Sequence, residues 1–174
     1  VKQQQSLMET THHLLRYYAD QHCSRQWSSF LFSLGQELDA LAEQDELRPL
    51  MRQVGKRMAG QMPLPPADTL EDVQAAMNQQ WDRIGWGWVS LEEKPEFLLI
   101  KHSAAPLQSA FGAGSLSWSP ALLEGIYERW FVMAGAGDGL SVSQYQQPSG
   151  GAGALPFEFH LSATRQTKLP GTTS

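Results

Sequence analysis

The sequence predicts an α+β protein, with N-terminal helices followed by a four-stranded antiparallel sheet made of two hairpins joined by a helix. Two observations carry this prediction. Apolar residues recur with helical spacing as far as Ile84, and beyond Gly85 two pairs of segments alternate with a period of two. A further helical pattern separates the two pairs. Helices gathered on one side of an antiparallel sheet are typical of the α+β class.

Three amphipathic helices are expected before the sheet, after a weaker candidate at residues 6–21. The first contains a heptad-like apolar stripe widened by one phenylalanine: Trp27, Phe30, Leu31, Leu34, Leu38 and Leu41. The second, over residues 47–58, is ended by the prolines of "MPLPP". Asp68 is expected to cap the third helix, over residues 70–84, with Glu71 completing a capping-box pair.

The heptad-like stripe has a consequence for assembly. An amphipathic helix with apolar residues spaced so regularly is expected to lie against another helix, either in the same chain or in a partner subunit. The stripe residues are therefore candidates for an oligomer interface: Trp27, Leu31, Leu34, Leu38 and Leu41.

The second half of the chain supplies the sheet. Strands are expected at 86–92, 96–102, 140–145 and 155–162, with "EEKPE" as the loop of the first hairpin. Ser119 as the cap and Pro120 in the first turn predict the start of the joining helix. The segment before them, "SAAPLQSAFGAGSLSW", is so rich in Ser, Gly and Ala that no regular element is expected there.

The six tryptophans allow two interpretations. Trp86 and Trp88 alternate on one strand, as either core residues or a sugar-stacking platform; we expect burial because the other face of the strand, with Val89 and Leu91, is also apolar. Trp118 is expected to be the most exposed. Core or interface positions are expected for the tryptophans on helical stripes: Trp27, Trp81 and Trp130.

Composition limits the domain organisation and the partners. The chain has 174 residues, which suits one domain, expected over 24–163 after an extension at 1–23 and before a flexible tail at 164–174. A net charge of −5 without a Lys/Arg stripe argues against nucleic acid. No apolar run has the length of a membrane span. The one cysteine, Cys23, excludes an intramolecular disulfide.

Motifs for catalysis are lacking. At about 100° per residue, His13 and His22 would point to opposite sides of one helix, and His102 and His160 are expected on separate strands. There is no Gly-x-Ser-x-Gly elbow and no phosphate-binding loop. The acidic pair Glu92–Glu93 lies at a hairpin loop, which is usually solvated. We therefore expect no catalytic residue, no metal and no cofactor.

Three segments carry a resemblance in their order and spacing: "RPLMRQVGKRMAGQMPLP", "IGWGWVSLEE" and "PALLEGIYERWF". Over residues 25–163 the chain resembles protein D of bacterial cellulose synthase operons. The motif residues are interpreted as structural: Gly85, Trp86, Gly87, Trp88, Leu123, Glu124, Gly125, Tyr127 and Trp130. Because glycine inside a helix costs about 1 kcal/mol relative to alanine, Gly125 predicts that another backbone packs closely there.

The resemblance implies a non-catalytic accessory subunit that forms a ring-like homo-oligomer, an octamer built from dimers, and helps to order exported glucan chains into crystalline cellulose. It implies three partners besides self: other subunits of the cellulose synthase complex, a proline-rich protein of the operon and β-1,4-glucan chains. Glucan contacts would map to the start of the first strong helix: Ser24, Arg25, Gln26 and Trp27. The lack of a recognisable signal peptide favours the cytoplasm, whereas a role on exported glucan would require the periplasm.

The order of elements also resembles a second class, the small-molecule-binding or assembly modules of the four-vinyl-reductase type, which are related to vesicle-tethering subunits. Those modules often carry a cysteine pair in the final hairpin, which this chain lacks. A glycoside hydrolase has no positive signal in the sequence, although the carboxylates of such enzymes are brought together only by the tertiary fold.

Overall fold

The computed structural model describes residues 14, 25–145 and 156–163. Apart from Leu14, the candidate helix at 6–21 lies outside this range, as do Cys23, Ser24 and the tail at 164–174. Among the described residues, no helix is both long enough and apolar enough to span a membrane.

The α-helices are α1 (Arg25–Leu41), α2 (Gln44–Gln61), α3 (Leu70–Ile84), α4 (Leu107–Phe111) and α5 (Ala121–Met133), and a short 3₁₀-helix spans Gly114–Ser117. The long helices were all expected, with ends that differ by up to a few residues. The N-cap residue of α3 differs from the prediction. The side chain of Thr69 accepts the hydrogen bond from the Asp72 N–H, so the predicted Asp68 cap was wrong by one residue. Asp72 in turn accepts a bond from the Thr69 hydroxyl at 2.7 Å.

Helix α4 and the 3₁₀-helix contradict the expectation of an irregular segment between β2 and α5. Both are short, and their buried members, such as Leu107, Ala110 and Ser115, pack within the fold. Tertiary contacts therefore stabilise turns that their Ser, Gly and Ala content would not hold alone.

The strands are β1 (Trp88–Glu93), β2 (Leu98–Ser103), β3 (Leu140–Gln144) and β4 (Phe157–Ala163). They form one antiparallel sheet in the order β1-β2-β4-β3. The two hairpins, β1–β2 and β3–β4, meet through the pairing of β2 with β4 and are joined in sequence by α5. The α+β class and the four-stranded antiparallel sheet are thus confirmed.

One face of the sheet packs on the helices. Its side chains alternate with those of the other face, as the register requires, and the core members are fully buried: Val89, Ile100, His102, Val142 and Phe159. Helix residues fill the other side of this core, chiefly Met77, Trp81, Ile126, Tyr127 and Trp130. The opposite face, which we call the open face, carries Trp88, Ser90, Glu92, Leu99, Lys101, Ser103, Ser143, Glu158 and His160.

Helices α2 and α5 cross with their backbones in contact. A Cβ atom on Gly125 would overlap the carbonyl oxygen of Arg52, and a Cβ atom on Gly55 would overlap that of Leu122. The close approach expected at Gly125 is therefore confirmed, and its counterpart at Gly55 was not predicted.

Both edges of the sheet are closed by side chains from the helices. At β1, Asn78 accepts from the Val89 N–H (2.7 Å) and donates to the Val89 carbonyl (2.9 Å), while Gln74 accepts from the Leu91 N–H. At β3, Glu128 accepts from the Val142 N–H (3.1 Å) and Glu124 from the Gln144 N–H (2.8 Å). Edge strands normally leave such groups open to pairing with another chain, and here these five backbone groups are occupied.

Candidate functional site

Helix α1 stands away from the core and attaches to it along one side only. Gly35 is buried against α4, where a Cβ atom would lie 2.6 Å from the Phe111 carbonyl oxygen. Leu38 and Ala42 pack against the core, and Asp39 accepts a hydrogen bond from the Trp118 indole. With α1 covering it in this way, Trp118 is only 1 % exposed, and the expectation of an exposed Trp118 was wrong.

The other side of α1 is apolar and exposed. We call it the outer face of α1; its residues follow the helical spacing 27, 30, 34, 41, namely Trp27, Phe30, Leu34 and Leu41. Trp27 is 59 % exposed and Leu41 is 79 % exposed, and the rings of Trp27 and Phe30 meet edge to face at 5.8 Å. A contiguous apolar stripe of this kind on one helix is typical of an interaction surface.

The residues of the predicted heptad-like stripe are therefore divided between the side of α1 that faces the core and its outer face. Leu31 and Leu38 are half-buried, and Leu38 contacts the core of its own chain. Trp27, Leu34 and Leu41 belong to the outer face and have no such cover within the described residues. Oligomer contacts for all five residues remain a prediction, and the structure makes the three outer residues available for them.

The proposed glucan-contact segment lies at the beginning of α1. Arg25, Gln26 and Trp27 are all exposed there, and Ser24 falls outside the described residues. The segment thus combines a guanidinium, an amide and an indole at one helix end. Donor and acceptor groups beside one aromatic ring suit a neutral polyhydroxyl chain.

The "GWGW" motif forms the junction between α3 and β1. Gly85 ends α3 in the left-handed conformation, and Gly87 (φ 78°) passes so close to β2 that a Cβ atom would overlap the Ser103 carbonyl oxygen. Trp86 is half-buried and stacks on Trp81 with ring centroids 6.0 Å apart and planes within 6°. The motif therefore sets the angle at which the chain leaves the helix and enters the sheet.

Trp88 does not follow the expectation of burial. Strand β1 begins at Trp88, so Trp86 precedes the strand and the two indoles do not share a strand face. Trp88 points to the open face and is 46 % exposed, whereas its neighbour Val89 points into the core. The sequence misled because both faces of β1 carry apolar residues, and an apolar pattern does not say which face the helices cover.

The "LEGIYERW" motif places charged groups inside the fold. Glu124 is 1 % exposed and receives Arg48 at 2.6 Å and Arg52 at 2.5 Å. Arg52 also pairs with Glu128, which Lys56 contacts at 2.9 Å. Three cations from one face of α2 thus meet two carboxylates from one face of α5. The spacing of four residues within each set was the signal available in the sequence, although no ion pair was predicted from it.

The remaining motif residues lie in the core: Leu123, Tyr127 and Trp130 are fully buried. The Trp130 indole donates to the Met62 carbonyl at 2.8 Å, which ties α5 to the end of α2. Each of these contacts fixes the packing of helices rather than exposing a reactive group.

His102 is buried between α3 and α5 and has a defined tautomer. A carbonyl oxygen only accepts, so Nε2 must donate to the Trp86 carbonyl (2.6 Å), and Nδ1 then accepts from the Tyr127 hydroxyl (2.5 Å). Burial lowers the pKa of His102 to about 4, against the opposing effect of the Trp86 carbonyl. Burial also raises the pKa of Tyr127. The pair is neutral and satisfied, an arrangement that stabilises the core.

The described ranges contain no cluster of side chains that resembles a metal-binding site. In residues 25–145 and 156–163, no group of three or more His, Cys, Asp or Glu side chains could hold a metal ion. The acidic residues Glu124 and Glu128, which lie one helical turn apart, are already bound by arginine and lysine side chains. The features that stand out are therefore surfaces: the outer face of α1 and the indole of Trp88.

Comparison with known proteins identifies the family. The family model for the D subunit of cellulose synthase matches residues 13–155. Two curated proteins from Komagataeibacter xylinus, each described as cellulose synthase operon protein D, are 34% identical to the chain. One match extends over 108 residues, 61% of this chain and 69% of the relative; the other extends over 110 residues, 62% and 70%.

A protein of the same description from Komagataeibacter sucrofermentans is 32% identical over 108 residues, which cover 61% of this chain and 69% of that relative. The range that the family model matches includes α1 to β3 and all three sequence segments that carry the resemblance. The chain therefore belongs to the family of cellulose synthase operon protein D.

Proposed function

We propose that this protein is a non-catalytic accessory subunit of bacterial cellulose synthesis and secretion. Membership of the protein D family supports a role in cellulose synthesis. The observation that carries the rest is the outer face of α1, an apolar stripe on an outlying helix, which suits a subunit whose work is assembly.

The assembly is proposed to be a ring-like homo-octamer built from dimers. Trp27, Phe30 and Leu34 would pack against the same helix of a second copy, because an isologous contact lets one apolar stripe cover another. Tryptophan and phenylalanine are residue types that often anchor such contacts. The sheet edges favour joining of subunits through helices, because several of the groups that would pair with an added strand are already occupied.

Within the ring, glucan chains are proposed to pass the beginning of α1. Arg25 and Gln26 would hydrogen-bond to sugar hydroxyls, and Trp27 would offer an apolar surface. These are weak, repeated contacts, which suit a polymer that must slide past the protein as it is exported and ordered into crystalline cellulose. The other proposed partners are subunits of the synthase complex and a proline-rich protein of the same operon.

The compartment is a separate part of the proposal. We propose the cytoplasm, and the periplasm is the alternative that direct contact with exported glucan would require. A fused phosphatase reporter that is active only outside the cytoplasm tests this. Activity of the fusion would overturn the cytoplasmic location.

The second class of function, a small-molecule-binding module, has less support from the fold. A ligand of that kind would lie between the sheet and the helices. That space is filled by fully buried side chains, among them Trp81, Tyr127 and Phe159.

The proposed role is tested by deleting the gene in a cellulose-producing host and restoring it on a plasmid. We expect the deletion to lower the yield and the X-ray crystallinity of the cellulose, and the restored gene to recover both. In parallel, the purified protein should release no glucose or cellobiose from cellohexaose. Normal cellulose in the deletion strain, or reproducible hydrolysis, would overturn the proposal.

A further inference from the structure

The open face of the sheet presents one large apolar side chain to solvent at its corner. Trp88 is the first residue of β1, pairs with Ser103 of β2 and is 46 % exposed. The core lies on the other face of the strand, where Val89 points, so the indole contributes little to holding the fold together. An exposed tryptophan on a rigid strand is a typical anchor for a ligand.

The positions around Trp88 leave the indole accessible. Its neighbour along the strand on this face is Ser90, and its neighbour across the strand pair is Ser103. The hydroxyls of both serines have no hydrogen-bond partner in the part of the chain that the structure describes. Two small side chains beside the ring therefore provide donors and acceptors without covering it.

The charges of this face are largely paired with one another. Lys101 Nζ lies 2.7 Å from Glu92 Oε1, and Lys94 Nζ lies 3.0 Å from Glu92 Oε2. The hydrogen bonds from these lysines lower the pKa of Glu92, so the carboxylate stays ionised and the pairs stay formed near neutral pH. A face with internally paired charges suits a neutral ligand better than an anionic or a cationic one.

A second aromatic group lies on the other side of the same face. Tyr145 follows β3, is 48 % exposed and stacks on His160 at 4.5 Å; His160 stacks on Phe97 at 3.8 Å. Tyr145 lies three strand spacings from β1, or roughly 14 Å across the sheet. The stack holds the Tyr145 ring in place: one side of the ring contacts His160, and within the described residues no other aromatic ring stacks on it.

We propose that the open face is a second glucan-contact surface, on which the Trp88 indole stacks against a pyranose ring of a β-1,4-glucan chain. The ring face of a β-linked glucose is lined by C–H groups and its hydroxyls project at the rim, which matches an indole flanked by Ser90 and Ser103. Tyr145 gives the same chain a second contact. The identity of the polymer rests on the proposed function, but the surface lies apart from the start of α1.

The test is affinity electrophoresis of the full chain in native gels that contain hydroxyethylcellulose, with starch gels as the α-linked control. We expect Trp88→Ala to weaken the retardation by β-glucan roughly tenfold, and Trp88→Phe to keep most of it because a flat ring remains. Trp27→Ala is the matched variant for the other surface and should keep the contribution of Trp88. Melting curves should be nearly unchanged for both Trp88 variants.

Three results would overturn the inference: no β-glucan retardation of the wild-type chain, full retardation of Trp88→Ala, or a smaller oligomer in Trp88→Ala by mass photometry. The last result would mean that a second copy covers the indole. None of these three results tests the accessory role in cellulose synthesis. That role is tested separately by the cellulose of the deletion strain.

Discussion

At the scale of single residues, the hydrogen atom that replaces a side chain at Gly125 decides how closely α5 can approach α2. The carbonyl oxygen of Arg52 occupies the place of the missing Cβ atom. The same crossing brings Arg48 and Arg52 within reach of Glu124, so the glycine contact and the ion pairs depend on one another.

We expect Gly125→Ala to destabilise the protein by about 1–3 kcal/mol or more, because the methyl group must displace backbone atoms rather than a flexible side chain. Its matched control is Gly60→Ala in α2, where a Cβ atom would meet nothing within 4 Å. That change should raise stability by up to about 1 kcal/mol through helix propensity. Urea unfolding measures both, and equal stability of the two variants would contradict the tight crossing.

His102 gives the protein a defined acid sensitivity. Its pKa in the folded state is about 4, below the ordinary value of 6.5, so the unfolded chain binds the proton more readily. The stabilising contribution is therefore complete above pH 6.5 and is lost as the pH falls from 6.5 towards 4. It amounts to about 3 kcal/mol at roughly 1.36 kcal/mol per pH unit.

Between about pH 7 and pH 4, we expect the free energy of unfolding to fall in both proteins. The fall in His102→Gln should be smaller than the fall in the wild type, and the difference should be about 2–3 kcal/mol. The amide keeps a donor and an acceptor but takes up no proton. Burial also lowers the pKa of His160, which is only partly covered, so His160→Gln is the control and should show a smaller effect. An unchanged pH dependence in His102→Gln would mean that other groups cause the acid sensitivity.

At the scale of elements, α1 is a helix with two apolar sides, one for its own chain and one exposed. Gly35 and Leu38 lie on the inner side, whereas Trp27 and Leu34 lie on the outer face. The helix joins the fold mainly through α4 and the 3₁₀-helix that follows. Within the described residues, this attachment leaves the outer face of α1 uncovered.

We expect Leu34→Asp to shift the oligomer to a smaller species in mass photometry while the far-UV circular dichroism of the domain is retained. Leu34 is 38 % exposed, so the charge is tolerated in a single subunit but not inside an apolar contact between subunits. Ser33→Asp, which adds the same charge at an exposed neighbouring position, should leave the oligomer intact. Unfolding of Leu34→Asp would show that Leu34 belongs to the core of its own chain.

The contribution of Asn78, which hydrogen-bonds to the edge of β1, can be tested by substitution. Asn78→Ala leaves the Val89 N–H and carbonyl without their side-chain partners, and we expect a loss of about 1–3 kcal/mol in stability. The neighbouring Gln79 is exposed and is not bonded to β1, so Gln79→Ala should change stability by less than about 0.5 kcal/mol. Thermal melts distinguish the two outcomes.

The sequence was informative about elements and less so about their surroundings. Periodicity identified the long helices and all four strands, and the isolated Gly125 correctly indicated a helix crossing. It could not show that α4 exists, because five residues give too few repeats for a helical period. It also misplaced Trp88 and Trp118, since their exposure depends on which distant residue, such as Asp39, comes to cover them.

At the scale of the whole molecule, the ion pairs between α2 and α5 join two helices of the same chain, whereas the exposed stripe on α1 is apolar. Glu124 and Glu128 are satisfied by Arg48, Arg52 and Lys56 of the same chain. Contacts between subunits through the outer face of α1 would therefore depend on burial of apolar surface rather than on charge.

We accordingly expect the mass distribution of the oligomer to be unchanged in about 1 M sodium chloride, where the Debye length is about 3 Å. Mild urea should dissociate it before the subunits unfold, because it weakens apolar contacts. Mass photometry across a salt series is the measurement. Dissociation by salt alone would point to ionic contacts and against the outer face of α1.

The closed edges of the sheet also affect the time course of folding. Asn78 and Val89 are 11 residues apart and Glu128 and Val142 are 14 apart, whereas Arg52 reaches Val142 from a distance of 90 residues. Because short loops close before long ones, each edge should receive its first side-chain partner early, before α2 docks. Unpaired strands are the segments through which nascent chains aggregate, so a newly made chain would expose them only briefly while neighbouring copies accumulate.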